Sequence, residues 1–421
     1  MGGGGPASEA VSREVLIREV GAQGDGVDAS GLFVSLTLPG ERVRARCVEG
    51  RGDLEEVLEA SPERVPAPCP HYGVCGGCAL QHWAEAPYRL WKVERVRQTL
   101  ARARLEAPIE LAFAAQPGSR RRLALHARRR GREVALGFKA RRAWTVTPIS
   151  ACLVAEPALV AALPALSALA APFLVSPKSA PTLHLTLTET GIDCDVTGVE
   201  RPGPTADARS QIAEIAARAD LARVSLAGEI LYQARPAVVR FGAARVEMPP
   251  GAFLQATAGA EAAMVRLACD WSRGADRVAD LYCGLGAFSF GLAAEASVLA
   301  AEVSSAAVAA LARAQGSSAG LKPISAQARD LDRRPILAEE LKGFDAVVFD
   351  PPRAGAAAQS AQLAKSHAAR LIAVSCNPAT FARDARTLVE GGYRLERVAV
   401  VDQFLWSPHI ELMALFERPF R

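Results

Sequence analysis

Apolar and polar residues alternate along REVLIREV (13–20) and again through SLTLPGERVRARCVEG (35–50), the period-two signature of strands with one buried face. GAQGDGVDASG (21–31) between them is turn chemistry, so residues 12–66 are expected to form a small β-barrel. After an irregular stretch, Leu90, Val93, Val96 and Leu100 recur at helical spacing in APYRLWKVERVRQTLARARL. The segment 120–152 then reads as a β meander with Arg-Gly at its first turn. ALVAALPALSALAAPFLV (158–175) is apolar but broken by Pro164 and Pro172, which suits a packed helix and not a membrane span.

From about residue 241 the period changes. RVADLYC, SVLAAEV, PISAQARD, FDAVVFDPP and RLIAVSCNP are short apolar strands separated by helical or loop stretches. Such alternation predicts a parallel, doubly wound α/β sheet. RLERVAVVDQF and HIELMALFER close the chain as two strands without a helix between them, which predicts a terminal antiparallel strand. The expected organisation is a tail over 1–11, the barrel over 12–66, a central β-rich domain over 67–240 and an α/β domain over 241–421.

Half of the 421 residues are apolar, which excludes wholesale disorder. A net charge of +4 is too small to mark a nucleic-acid binder by itself, so local patches decide. The densest lies between residues 119 and 142, with ten cations against one Glu, beside Phe138 and Trp144. Cations interleaved with aromatics suit a phosphate track with stacking platforms, and RNA contact is expected there. MGGGGPASEA has neither a charged start nor an apolar core, so no secretory signal is expected and the protein is placed in the cytoplasm, without membrane contact.

Chemistry enters at the strand ends. DLYCGLG (280–286) is a strand running into a glycine turn, without the full dinucleotide fingerprint, and it suits S-adenosylmethionine. Glu302, nineteen residues after Cys283, ends the next strand and could accept both ribose hydroxyls. Asp330 could face the adenine or cap a helix. Asp350 in FDPPRAG ends the fourth strand, and Arg353 follows where an amine methyltransferase usually has a base-stacking aromatic. Cys376 ends the fifth strand just before a helix capped by Asn377 or Thr380, where dipole and free N–H groups favour a thiolate. His409 and Glu411 open the last strand, and burial there would raise the carboxyl pKa for base work. A cofactor loop, a thiolate and a carboxylate together fit methylation of a pyrimidine C5, a carbon that becomes nucleophilic only after a thiolate adds to C6.

CPHYGVCGGC (69–78) packs three of the nine cysteines into ten residues. In an unsecreted chain these are thiols or metal ligands sooner than disulfides. Cysteine pairs two residues apart suit zinc as well as iron, and by spacing alone Cys75-x2-Cys78 leans to zinc, with His71 or His82 completing such a site; Cys47, Cys152 and Cys194 are candidate fourth thiols.

Over about residues 12–418 these motifs, C-x5-C-G-x-C, Q-A in GAFLQATAGAEAAM, DLYCGLG, FDPPRAG, SCNPATFARD and HIELMALFER, resemble the class I RNA uracil-5-methyltransferase family. The branch resembled carries an N-terminal TRAM domain and an iron–sulfur cluster. The resemblance implies a Rossmann-like methyltransferase domain, a TRAM/OB-like barrel and a central cluster-containing domain. It implies Cys376 as nucleophile and Glu411 as base, with Gln255, Tyr282, Glu302, Asp330 and Asp350 at S-adenosylmethionine. It further implies a [4Fe–4S] cluster on Cys69, Cys75, Cys78 and Cys152, and a helix near 88–104 packed on the catalytic domain. The family usually has Asn where this chain has Ala287. Ribosomal RNA is favoured over transfer RNA as substrate, a non-catalytic RNA-binding protein of the same fold is the rival reading, and a monomer is expected.

Overall fold

The computed structural model describes residues 10–419. The expected tail lies, up to residue 9, outside the described residues, and Val11 already opens the first strand. The chain forms two compact units. One takes the described residues up to Arg95 with Lys139–Trp144 and Trp406–His409; the other takes Val96–Phe138, Thr145–Leu405 and the chain from Ile410 onward.

In the first unit, β1 (Val11–Val20), β2 (Gly26–Asp28), β3 (Phe33–Val34), β4 (Arg42–Val48) and β5 (Arg51–Glu59) close into a barrel in the order β1-β2-β3-β5-β4. Its alternation is that of the sequence: Val15, Ile17, Val34, Val43 and Ala45 point inward as one core, and the arginines between them face water. Closure leaves no free edge. The helix α1 (Glu85–Arg102) follows; its first part, through Arg95, is counted with the barrel and its last turns with the second unit.

The second unit contains two large sheets. β6 (Ile109–Ala114) is taken up below. β7 (Arg122–Arg130), β8 (Glu133–Lys139) and β9 (Val146–Pro148) form the expected meander. The apolar run folds as two short helices, α2 (Pro157–Ala161) and α3 (Leu163–Ala170), because Pro164 opens a new first turn. β10 (Thr182–Thr188), β11 (Gly191–Thr197), α4 (Ala206–Arg218), β12 (Arg223–Leu226) and β13 (Glu229–Gln233) complete a seven-stranded sheet in the order β13-β12-β11-β10-β7-β8-β9. β11 and β12 run parallel within it, and α4 supplies the crossover that a parallel pair requires. A hairpin of β14 (Val238–Phe241) and β15 (Ala244–Glu247) leads to the eight-stranded sheet.

That sheet is built from α5 (Ala258–Trp271), β16 (Arg277–Leu281), α6 (Ala287–Leu292), β17 (Ser297–Glu302), α7 (Ser305–Gly316), β18 (Ile324–Ala328), β19 (Ala346–Phe349), α8 (Ala357–Leu363), β20 (Arg370–Ser375), α9 (Pro378–Glu390), β21 (Arg394–Asp402) and β22 (Glu411–Glu417). Its strand order is β18-β17-β16-β19-β20-β22-β21-β6. β16 to β20 run parallel, and all but the edge strand β18 are largely buried on both faces, which is why they read as apolar runs. The fold is the expected Rossmann-like α/β class. Two details differ from expectation. β22 is antiparallel as predicted but lies inside the sheet, between β20 and β21. The edge is β6, a strand from the span assigned to the central domain, paired parallel with β21.

Candidate active site

The parallel strands deliver their following residues to one crevice at the carboxyl edge of the sheet. Tyr282 follows β16, Glu302 ends β17, Asp350 follows β19, and Cys376 follows β20. Glu411 reaches the same edge from the opposite direction. Antiparallel register sets Leu412 across from Ser375 and Glu411 across from Val401, so the first residue of β22 lies beside the last residues of β20 and β21. A carboxylate and a thiol 35 residues apart thereby become neighbours.

Four side chains form one hydrogen-bonded line here. Gln255 Nε2 donates to Asp350 Oδ2 at 3.2 Å, and Gln403 Nε2 donates both to Gln255 Oε1 and to Glu411 Oε2, each at 2.8 Å. All but Asp350 are at most 7% exposed. Gln403 carries no chemical signal in the sequence; its only mark is an amide directly after an apolar strand. Burial pushes Asp350 up to about 7, and burial plus the Asp350 charge pushes Glu411 up to about 8.

On the cofactor side, Gly286 adopts φ +90° and caps α6 without a side chain, while a Cβ there would stand 2.6 Å from Leu311 Cδ1. The turn and helix need glycine at that point. Glu302 accepts the Gly284 N–H at 3.1 Å and the Ser304 N–H at 2.9 Å, which fixes its carboxylate at the turn. Asp280 is wholly buried; Ser289 Oγ serves one oxygen at 2.5 Å, whereas Oδ1 has no partner among the described residues. Burial pushes its carboxyl up to about 7. A glycine turn, an anchored strand-end carboxylate and an orphaned buried oxygen are a donor set that fits a nucleoside with a cationic group. Asp330 turns its Oδ1 to the N–H groups of Asp332 and Arg333, at 3.1 and 3.2 Å, as a turn cap. Asp332 is the residue that receives the Tyr282 hydroxyl, at 3.4 Å. Ala287 opens α6 with no side-chain hydrogen bond at the cap.

The loop after Asp350 is laced to the start of α9. Asn377 Nδ2 and Thr380 Oγ1 donate to the Arg353 carbonyl at 3.1 and 3.3 Å, and Ala356 N donates to Asp384 at 2.7 Å. The helix, however, does not favour the thiolate as expected. Pro378 has no N–H, Asn377 uses its own side chain on the Ala379 N–H, and the Asn377 N–H goes to Ser375 Oγ. Half-burial, then the Glu411 and Asp350 charges, push Cys376 up to about 11, with Arg353 acting against them. A rise of about two units above the ordinary thiol value cuts the thiolate fraction about a hundredfold. Iodoacetamide should therefore label Cys376 in the free protein about a hundredfold more slowly than a free thiol at pH 7.5, by peptide mass spectrometry; an unretarded rate would contradict this.

The cysteine loop is not brought together as a metal centre. Cys69, Cys75 and Cys78 are half-buried in the first unit, Cys152 is half-buried in the second, and none of the four is in a disulfide. Among the described residues no three His, Cys, Asp or Glu side chains are grouped to hold a metal ion. His82 is turned into the core, with Nδ1 against the Tyr72 hydroxyl.

The dense cation run also differs from a phosphate track, because most of it is already engaged. Arg121 pairs with Glu261 at 2.6 Å and donates to the Gln255 carbonyl at 3.2 Å; Arg122 donates to the Leu254 carbonyl at 2.5 Å. Arg128 and Arg129 hold the carbonyls of Ser179 and Leu174, and Arg141 and Arg142 both pair with buried Asp25. Arg130 and Arg132 stay exposed, and Lys139 sits 4.0 Å above the ring of Trp144, which is 78% exposed. No helix among the described residues is long and apolar enough to cross a membrane.

The chain is also similar to known proteins. The family described as tRNA (uracil-5-)-methyltransferase matches residues 207–419. A Caulobacter vibrioides protein named as an RNA methyltransferase is 57% identical over 96% of this chain and all of its own length. The 23S rRNA (uracil(1939)-C(5))-methyltransferase of Chromohalobacter salexigens is 35% identical over 97% of this chain and 90% of its own. In overall fold, the Pyrococcus abyssi tRNA (uracil-54, C5)-methyltransferase, solved with S-adenosyl-L-homocysteine, superposes with a TM-score of 0.76 at 23% identity, over 96% of this chain and 99% of that one.

Proposed function

From the premise that this chain belongs to the RNA uracil-5-methyltransferase family, we propose that it methylates C5 of a uridine in 23S ribosomal RNA, with Cys376 as nucleophile and Glu411 as base. The observation that carries the reading is the single hydrogen-bonded line Asp350–Gln255–Gln403–Glu411 beside Cys376 at the carboxyl edge of the sheet. The 35% identity to a 23S rRNA enzyme supports the substrate. RNA as substrate also supports the cytoplasm as the place of action.

Gln255, Tyr282, Glu302, Asp330 and Asp350 would hold S-adenosylmethionine. Glu302, already fixed by two backbone N–H groups, would accept the ribose hydroxyls. When bound, S-adenosylmethionine supplies the methyl group on a positively charged sulfur. The thiolate of Cys376 forms the Sγ–C6 bond, and the displaced pair makes C5 an enolate carbon. C5 takes the methyl group, and the old sulfur–methyl pair stays on sulfur. Glu411 then accepts the C5 proton, the C5=C6 bond re-forms, and the C6–Sγ bond breaks to return the thiolate. One proton leaves to solvent through Glu411 per methyl transferred. The base must be flipped from any helix to reach a thiol in this crevice.

Methyl transfer from labelled S-adenosylmethionine to unmodified 23S rRNA and bulk transfer RNA, mapped by mass spectrometry, tests the reading. 5-Methyluridine at one position in 23S rRNA is expected; methylation of transfer RNA alone would overturn the ribosomal assignment.

The resemblance of C-x5-C-G-x-C to the cluster-bearing branch of the family, not the spacing itself, supports a [4Fe–4S] cluster on Cys69, Cys75, Cys78 and Cys152, and no step above passes through it. Protein purified without oxygen should contain about four iron and four sulfide per chain and absorb broadly near 400 nm. A colourless protein with stoichiometric zinc would refute the cluster.

A further inference from the structure

Gln403 stands outside every motif named above, yet it joins the base to the cofactor-side residues. Its orientation is fixed by one backbone group: Ala256 N–H donates to Oε1 at 2.8 Å, so the other end, facing Gln255 and Glu411, must be the NH2. Both amide hydrogens are then used, one on Gln255 Oε1 and one on Glu411 Oε2. The segment carrying Ala256 is braced in turn. Arg121 N donates to the Ala256 carbonyl at 3.0 Å, and the Arg121 side chain is held by Glu261. Gln403 is 2% exposed, so its three bonds form away from bulk water.

We propose that Gln403 is a positioning residue for the proton-transfer step, holding Glu411 by Oε2 so that Oε1 receives the C5 proton. The inference rests on the base assignment made above. An NH2 can only donate, so the contact with Gln403 favours the ionised, proton-accepting carboxylate. Of the ionisable groups facing Glu411, Asp350 from the end of β19 acts the opposite way, while Cys376 after β20 is an uncharged thiol near neutral pH, with the Arg353 cation beyond it. Gln403 is thus the neutral donor that offsets an acidic neighbour. Through Gln255 it also ties the base to Asp350, so that displacing either amide moves both carboxylates.

Two variants test this. Gln403→Met keeps length and removes both polar ends. Gln403→Glu keeps an acceptor for the Ala256 N–H and sets a carboxylate against Glu411. Both should lower kcat about 10- to 100-fold with KM for RNA within about twofold, and should move the rising limb of the kcat–pH profile up by about one unit. With ordinary uridine RNA both should accumulate the methylated cysteine adduct, visible as a shifted band on a denaturing gel. Adduct formation with 5-fluorouridine RNA, which needs no proton removal, should stay at the wild-type rate. That rate also shows that the variant is folded, which a merely structural lesion would not preserve. An unshifted pH profile without adduct build-up in either variant would overturn the role of Gln403 while leaving the reaction standing. A wild-type adduct that survives Cys376→Ala would instead remove the reading on which the role depends, and the role with it.

Discussion

Cys376→Ala is expected to reduce methyl transfer to RNA by about 10⁴-fold or more, the scale on which loss of a covalent nucleophile is felt. C5 of uracil has no nucleophilic character until a group adds at C6, and no other described thiol follows β20 at this edge. Cys283, the other cysteine in the cofactor region, is buried, with its thiol pushed up by burial and the charges of Asp280 and Glu302. The adduct with 5-fluorouridine RNA should vanish in the same variant. The site around it should survive, because alanine removes only a half-buried sulfur. S-adenosylmethionine should therefore bind the variant within a few-fold of wild type by calorimetry. Methylation above about one hundredth of the wild-type rate would rule out the nucleophile.

Glu411→Gln should leave the first two bond changes intact and block the third. The expected result is a fall in kcat of about 10² to 10⁴, with the methylated RNA held on Cys376. This variant also has a stability signature. Burial and Asp350 raise the Glu411 carboxyl from 4.5 to about 8 in the folded chain, so folding prefers its protonated form. That contribution is present in full below about 4.5 and is lost as pH rises through about 8. Asp350 and Asp280, both raised to about 7, act in the same direction. Thermal melts from pH 5 to 9 should thus show Tm of the wild type falling with pH. The amide that replaces the carboxyl cannot ionise, so the variant should fall less steeply and gain relative Tm above pH 7. Equal slopes would mean that Glu411 is not held protonated.

Much of the site is legible in the sequence because it lies where strand endings and chemistry coincide. Glu411 opens an otherwise apolar strand, and Cys376 and Asp350 each directly follow one; a polar residue at that punctuation is conspicuous. Gln403 directly follows a strand too, but an amide has no titration and no nucleophile to announce it. Its meaning appears only when β22 pairs with β21 and sets Glu411 across from Val401. β6 is hidden for a related reason, since IELAFA finds its partner β21 almost three hundred residues later. Charge density misleads where partners are decisive. Arg120–Arg122 reads as part of an RNA track, yet Arg121 and Arg122 bind the carbonyls that shape the Gln255 segment. The expectation of a stabilised thiolate rests on the helix start alone, where Pro378 has no N–H and Asn377 occupies the Ala379 N–H, so that burial and the nearby carboxylates prevail.

The short stretch Trp406–His409 separates Gln403 from Glu411, yet it is counted with the barrel unit. Within that unit the Trp406 carbonyl accepts the N–H groups of Ala79 and Leu80 at 2.9 and 3.1 Å, and Arg95 reaches the Pro408 carbonyl at 2.7 Å. The barrel unit is therefore not a detachable module. An engineer who deleted the first 95 residues to obtain a minimal methyltransferase would also strip the anchors from the turn that leads into the base. Domain-swapped chimeras of this enzyme should exchange the barrel together with residues 139–144 and 406–409, or they will inherit a mismatched turn next in sequence to the base.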